Sequence, residues 1–279
     1  MLIALASVKH APGVTTSALG LASAWPGPVL LAECDPAGAD VPAWLQLPAG
    51  PSVVDAALEL RRAKPQQTSD VSPLRGCVTA LASERLLLLR GVDDPGQSGA
   101  ITASWPLLAA HLARPRDRDE PMDVVADCGR LSDAHTPWPV LEAAHIVGLT
   151  VAPTVAGVRL AGRWLPGLQE RLAGDGSCGP RLRLLVVGAG PYPAGEIAEA
   201  LGLPLMGVLP NDRPAAAALA SGGGRGLGRS RLWRALTQLA GDLSKQRPVS
   251  TDDIVQTAST DHADAAAEAD ASVAEAVVA

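Results

Sequence analysis

The chain has 279 residues, 47% hydrophobic and 19% charged, with a formal net charge of −6. That length suits one large domain or two small ones, and the balance is that of a globular protein. The longest apolar runs, such as Leu86–Leu89 and Val29–Ala32, fall far below the ~18 residues that span a bilayer.

The N-terminus lacks the basic segment of a signal peptide. Four cysteines (Cys34, Cys77, Cys128, Cys178) without CxxC spacing argue against a disulfide scaffold or a zinc site. A soluble cytoplasmic protein is the expectation. With no Phe and one Tyr, the core must be aliphatic, built from Leu, Val and Ala with six Trp. Seven acidic residues and one basic residue lie from Gln246 onward; taking them from the totals of 29 and 23 leaves 22 of each in residues 1–245. The charge therefore belongs to the tail, and the body has no basic field of the kind that drives nonspecific DNA binding.

Short apolar runs predict strands at Leu2–Ser7, Val29–Glu33, Leu86–Arg90, Asp123–Asp127, Ile146–Ala152, Leu182–Val187 and Leu205–Val208. Between them, helical patterns cover Thr15–Trp25, Val53–Ala63, Ser104–Leu112, Val158–Ala173, Gly195–Leu201, Pro214–Ala220 and Arg231–Leu243. The strands are apolar on both faces, as in a sheet covered on two sides. Strand and helix in alternation, with right-handed crossovers, predict an α/β fold: a doubly wound, mostly parallel sheet flanked by helices. Asp117–Glu120 reads as a solvated charged loop. Residues 246–279 are rich in Ala, Asp and Ser and poor in large apolar groups, so they are expected to be a disordered acidic tail on a domain of residues 1–245.

In such folds ligands bind beyond the carboxyl ends of the strands, so the loops there carry the chemistry. Strand one leads into Lys9-His10-Ala11-Pro12-Gly13-Val14-Thr15-Thr16. This segment resembles the deviant Walker A loop of the ParA/MinD family of P-loop ATPases, whose pattern is KGGxGKTT. Lys9 stands at the family-specific first lysine, Gly13 at the glycine before the helix, Thr15 at the magnesium-binding hydroxyl and Thr16 beside it. His10 and Ala11 replace glycines, and Val14 replaces the lysine that reaches the β- and γ-phosphates. A bare strand-to-helix turn is the other reading of this loop.

Glu33-Cys34-Asp35-Pro36-Ala37-Gly38-Ala39-Asp40 resembles the family's switch I, with Asp35 at the carboxylate that positions the attacking water. Asp127-Cys128-Gly129-Arg130 resembles Walker B and switch II. Asp127 would hold magnesium, and Gly129 would bring its N–H to a γ-phosphate. The same two segments also read as an Asp-Pro turn and a strand-terminal cap. Cys34 and Cys128, each beside a site carboxylate, read as small buried thiols. Pro210-Asn211-Asp212 resembles the segment that packs on the adenine, or is a turn with Asp212 as a helix N-cap. Gly188 departs from the Asn found there in relatives.

The resemblance implies ATP and Mg²⁺ as cofactors, both weakened by Val14. Lys9 and Asp35 would be catalytic; Lys9, Gly13, Val14, Thr15, Thr16, Gly129, Pro210, Asn211 and Asp212 would contact nucleotide; Thr15, Asp35 and Asp127 would hold the metal. It also implies a homodimer with Lys9 crossing the interface, and an unidentified protein partner or cargo. DNA contact through the loop Ser221–Ser230 is the weaker alternative to a plain mobile loop. The acidic tail speaks against direct membrane binding. Gly195–Pro204 is similar to a stretch in the pilus- and secretion-associated CpaE/TadZ relatives. Two functions follow: a nucleotide-dependent dimerising switch with slow hydrolysis, used in partitioning or positioning, or a pseudo-ATPase scaffold that has lost nucleotide. His111, His135 and His145 show neither metal spacing nor a catalytic order.

Overall fold

A computed structural model describes residues 1–9, 13–62, 72–81, 84–114, 116–117, 120–132, 135–173, 181–224 and 226–247. Met1–Ser244 form one compact unit; of a second unit, Lys245–Ala279, only residues 245–247 are described, so the predicted acidic tail lies outside them.

In chain order the strands are β1 (Leu2–Ser7), β2 (Val29–Glu33), β3 (Val78–Leu81), β4 (Leu86–Leu89), β5 (Arg116–Asp117), β6 (Glu120–Pro121), β7 (Asp123–Arg130), β8 (Ile146–Val151), β9 (Leu182–Val187) and β10 (Leu205–Leu209). The helices are α1 (Val14–Ser23), α2 (Val41–Trp44), α3 (Val53–Arg62), α4 (Ser98–Ile101), α5 (Trp105–Ala113), α6 (Trp138–Ala143), α7 (Val155–Leu172), α8 (Ala194–Leu201), α9 (Arg213–Ala220) and α10 (Arg231–Ser244). Eight strands form one sheet in the order β10-β9-β8-β1-β7-β2-β4-β3. Every neighbouring pair is parallel except β3 and β4.

The central strands are buried on both faces. In β1, Leu2, Ala4 and Ala6 join a core layer under α3, α5, α6, α7 and α8. Ile3 and Leu5 join a second layer under α1, α9 and α10. Period-two alternation thus sends one apolar strand into two cores, as a covered parallel sheet requires.

Several expectations need correction. β3 is an antiparallel edge strand that the pattern did not predict. Asp117–Glu120 is not a plain loop, because Arg116–Asp117 pairs antiparallel with Glu120–Pro121. α7 starts at Val155 rather than Val158, because the Thr154 hydroxyl accepts the Gly157 N–H at 3.1 Å and caps the helix there. β7 does not end at Asp127 but runs on to Arg130. It does so through a register shift against β1: Leu5 pairs with Asp127 and Ser7 with Arg130, so Ala6 faces both Cys128 and Gly129. Two residues opposite one is a bulge, and a bulge reverses which face the following side chains take.

Candidate functional site

The chain passes from β1 to β2 on one side of the sheet and later from β7 to β8 on the other. This reversal opens a crevice at the carboxyl ends of β1, β2 and β7. A cleft of about 510 Å³ lies there, lined by Ser7, Val14, Thr15, Asp35, Pro36, Ala37, Gly129, Arg130, Ser132 and His135. Elements distant in sequence therefore bring Thr15, Asp35 and Gly129 to one cleft.

Gly13 takes a left-handed conformation (φ 70, ψ 36) and turns the chain into α1. The helix has no side-chain cap and no acidic residue in its first turn. Its first N–H groups therefore keep their partial positive charge for an anion. The Val14 side chain is buried in the core layer beneath the helix and borders the cleft, where it brings no charge. Lys9 is exposed and is not among the cleft-lining residues; His10 and Ala11 lie outside the described residues.

Asp35 and Gly129 meet most tightly. Gly129 has φ +61, and a β-carbon there would fall 2.0 Å from the Asp35 carboxyl carbon. Asp35 Oδ1 accepts the Ala37 N–H at 2.8 Å, which closes the Asp-Pro turn. Burial pushes the Asp35 carboxyl upward, against the Ala37 hydrogen bond; Asp40 adds to the rise and Arg130 opposes it. Asp127 lies beneath the cleft, fully buried. Burial raises its pKa to about 7, opposed by hydrogen bonds from Thr15 and from the Gly129 N–H, the latter 2.9 Å from Asp127 Oδ1. That N–H is thus engaged with Asp127 rather than open to the cleft. The Thr15 hydroxyl also stands 3.5 Å from Asp40 Oδ2.

Glu33, one residue before this loop, has a structural task. Its carboxylate accepts the Val41 N–H at 2.8 Å and the Gly91 N–H at 3.2 Å, tying both ends of residues 34–40 to the end of β4. Burial pushes it up to about 7. Cys34, the residue after β2, and Cys128 of β7 lie within one core layer, and the Cys34 N–H donates to the Asp127 carbonyl at 2.7 Å. Both thiols are buried and free, and burial raises their pKa far above the ordinary range.

On the other side of Gly13, a smaller pocket of about 200 Å³ joins Gly13 and Thr16 to Gly188, Pro210, Asn211 and Asp212. The predicted base-side segment thus adjoins the start of α1. Asp212 is also the N-cap of α9, with Oδ1 accepting the Ala215 N–H at 3.2 Å. One of its oxygens is therefore committed to the helix.

Sequence reasoning missed Ser7, Arg130, Ser132 and His135 in the cleft, and Asp40 beside Thr15. Of these, Ser7 carried a signal, as the last residue of strand one. Arg130 carried none, because its face depends on the bulge.

No family model and no curated protein sequence matches the chain. Solved structures do. The ParA family ATPase of Chlorobium tepidum superposes with a TM-score of 0.63 at 18% identity, covering 86% of this chain and 98% of its own. The cell division ATPase MinD of Pyrococcus furiosus gives 0.67 at 16%, covering 88% and 98%. The Pyrococcus horikoshii septum site-determining protein MinD, solved with Mg-ADP, gives 0.64 at 14%, covering 89% and 98%. The fold is that of the ParA/MinD ATPases. Within the ParA/MinD fold, the donor set suits magnesium and phosphate. A hydroxyl and two carboxylates are hard oxygen ligands, and Mg²⁺ commonly takes one or two carboxylates and completes its shell with phosphate and water. Among the described residues no three His, Cys, Asp or Glu form a metal cluster by themselves. No helix among those residues is long and apolar enough to cross a membrane.

Proposed function

We propose that this protein is a ParA/MinD-like ATP-binding switch: ATP and Mg²⁺ bind in the cleft, two copies associate around the nucleotide, and slow hydrolysis releases them. The observation that carries this reading is the convergence of Thr15, Asp35, Asp127 and Gly129 on one cleft at the uncapped start of α1. Thr15, Asp35 and Asp127 would hold Mg²⁺, which supplies charge neutralisation at the phosphates when bound. Asp35 accepts a hydrogen bond from, and so orients, the attacking water. Gly13 and Thr16 would contact the nucleotide from the phosphate loop, and Pro210, Asn211 and Asp212, which share a pocket with them, would pack on the adenine. Lys9 reaches the partner's nucleotide. Hydrolysis is slow because Val14 leaves charge at the transferring phosphate unneutralised. The work is partitioning or positioning of DNA or of a secretion- or pilus-type assembly, through a protein partner.

One observation favours a second reading. Val14 is packed in the core where the motif has a lysine. A scaffold that has lost nucleotide and localises a partner would tolerate this. Calorimetric titration of ATP and ADP with Mg²⁺, on wild type and Lys9→Ala with mass measured in parallel, separates the two. Binding with ATP-dependent dimers that vanish in Lys9→Ala is the expected result. No binding at millimolar ATP would leave the scaffold.

A further inference from the structure

Resting on the ATP-binding reading, we propose that Arg130 contacts the terminal phosphates and supplies the positive charge that Val14 removes from the phosphate loop. The bulge in β7 sets which way this side chain points. If β7 ran straight on from Asp127, Arg130 would point to the opposite face from Asp127, toward the layer that holds Ala126 and Cys128. The extra residue at Cys128–Gly129 shifts the count by one. Arg130 then pairs with Ser7, and both line the cleft. Ser7 ends the strand that leads into the phosphate loop, and Leu131 is tied to it by an N–H bond to the Ser7 carbonyl at 2.8 Å. The base of the Arg130 side chain is therefore fixed beside the root of that loop.

The guanidinium itself is uncommitted. Arg130 is exposed, and among the described residues it makes no hydrogen bond or ion pair. Asp35, its electrostatic neighbour, spends Oδ1 on the Ala37 N–H. The groups around it are acidic: Asp35 lines the cleft, Asp127 lies below and Asp40 stands by Thr15. A polyphosphate needs more positive charge than the start of one helix provides. Lys9 does not line the cleft, so among the described residues Arg130 is its one Lys or Arg side chain. A guanidinium presents two parallel N–H groups to a phosphate and stays charged at all working pH. Arg130 lines the cleft together with Asp35 and Gly129, whereas Asn211 and Asp212 line the separate pocket. It therefore addresses the last phosphate rather than the base.

The test is calorimetry on the full chain with Mg-ATP and Mg-ADP, using wild type, Arg130→Ala, Arg130→Lys, Val14→Lys and the Val14→Lys/Arg130→Ala double variant. Unfolding midpoints are measured alongside. Loss of one charge-assisted contact predicts about ten- to hundredfold weaker ATP binding in Arg130→Ala, with ADP changed by less than about threefold. Arg130→Lys should keep part of the affinity. Val14→Lys should strengthen ATP binding more in the Arg130→Ala background than in wild type, because the two cations serve one phosphate. A merely structural Arg130 would lower the midpoint and weaken ATP and ADP alike. Wild-type ATP affinity in Arg130→Ala overturns the proposal and leaves the ATP-binding reading standing. If wild type binds neither nucleotide, both fall.

Discussion

Gly129 holds the two acidic loops together by what it lacks. A methyl group there would collide with the Asp35 carboxyl at 2.0 Å, and its φ of +61 disfavours any β-carbon. Gly129→Ala should therefore destabilise the fold by about 1–3 kcal/mol and displace Asp35. Repeating the substitution on an Asp35→Ala chain should recover the steric part and leave ~1 kcal/mol of left-handed strain. Chemical denaturation of the four chains reads this cycle; equal losses in both backgrounds would mean that the loops do not touch. At this scale Thr15, Asp35, Asp127 and Gly129 were legible because each lies at or just beyond the carboxyl end of a strand, and strand ends in a parallel sheet point one way. Arg130, Ser132, His135 and Asp40 were not. Their faces are set by a bulge against β1 and by the return of a loop, and neither is encoded locally.

At the scale of elements, the apolar strands and amphipathic helices were readable because burial demands their periodicity. β3 was not, since three of its four residues are only partly buried or exposed and the run is too short to show a period. The small helices α2, α4 and α6, of four to six residues, span too few turns for a 3.6 repeat. α10 illustrates the readable kind. Leu232, Leu236, Leu239 and Leu243 form its buried stripe. Leu236 fits over Gly20 of α1, where an added β-carbon would lie 2.5 Å from Leu236 Cδ1. Leu236→Ala should cost about 2–5 kcal/mol and Gly20→Ala about 1–3 kcal/mol. The pair should cost less than the sum, since the new methyl enters the space the leucine leaves. Urea midpoints of the three variants check the coupling, and strict additivity would place the two residues apart.

At the scale of the whole molecule, the buried acids set how stability follows pH. Burial raises Glu33 and Asp127 to about 7 and raises Asp35 as well. Groups raised in this way bind protons more tightly folded than unfolded. Their contribution is full below the ordinary carboxylate range, near pH 4, and is lost as pH climbs through about 7. Each can remove up to ~1.4 kcal/mol per pH unit in that window. His145, lowered by burial, acts oppositely and weakens the fold in acid below about pH 6.5. Denaturation midpoints should therefore fall from about pH 5 to pH 7 and level off above it, and Asp127→Asn should flatten the fall. Mg-ADP should restore more stability at pH 8 than at pH 6, because the metal binds the ionised carboxylate. A wild-type profile that stays level across this range would mean that the acids are already neutralised by other groups.

The paired thiols behind the acidic loops have a use of their own. Cys34 and Cys128 each directly adjoin a site carboxylate, are sealed from solvent and are held far from the thiolate form. An alkylating reagent can reach them only in the moments when the loops part. The rate at which these two positions are labelled, resolved peptide by peptide, therefore counts loop openings. The chain carries its own clock for how long these loops stay packed over the thiols. Slowing of that clock would register a ligand before any turnover is seen.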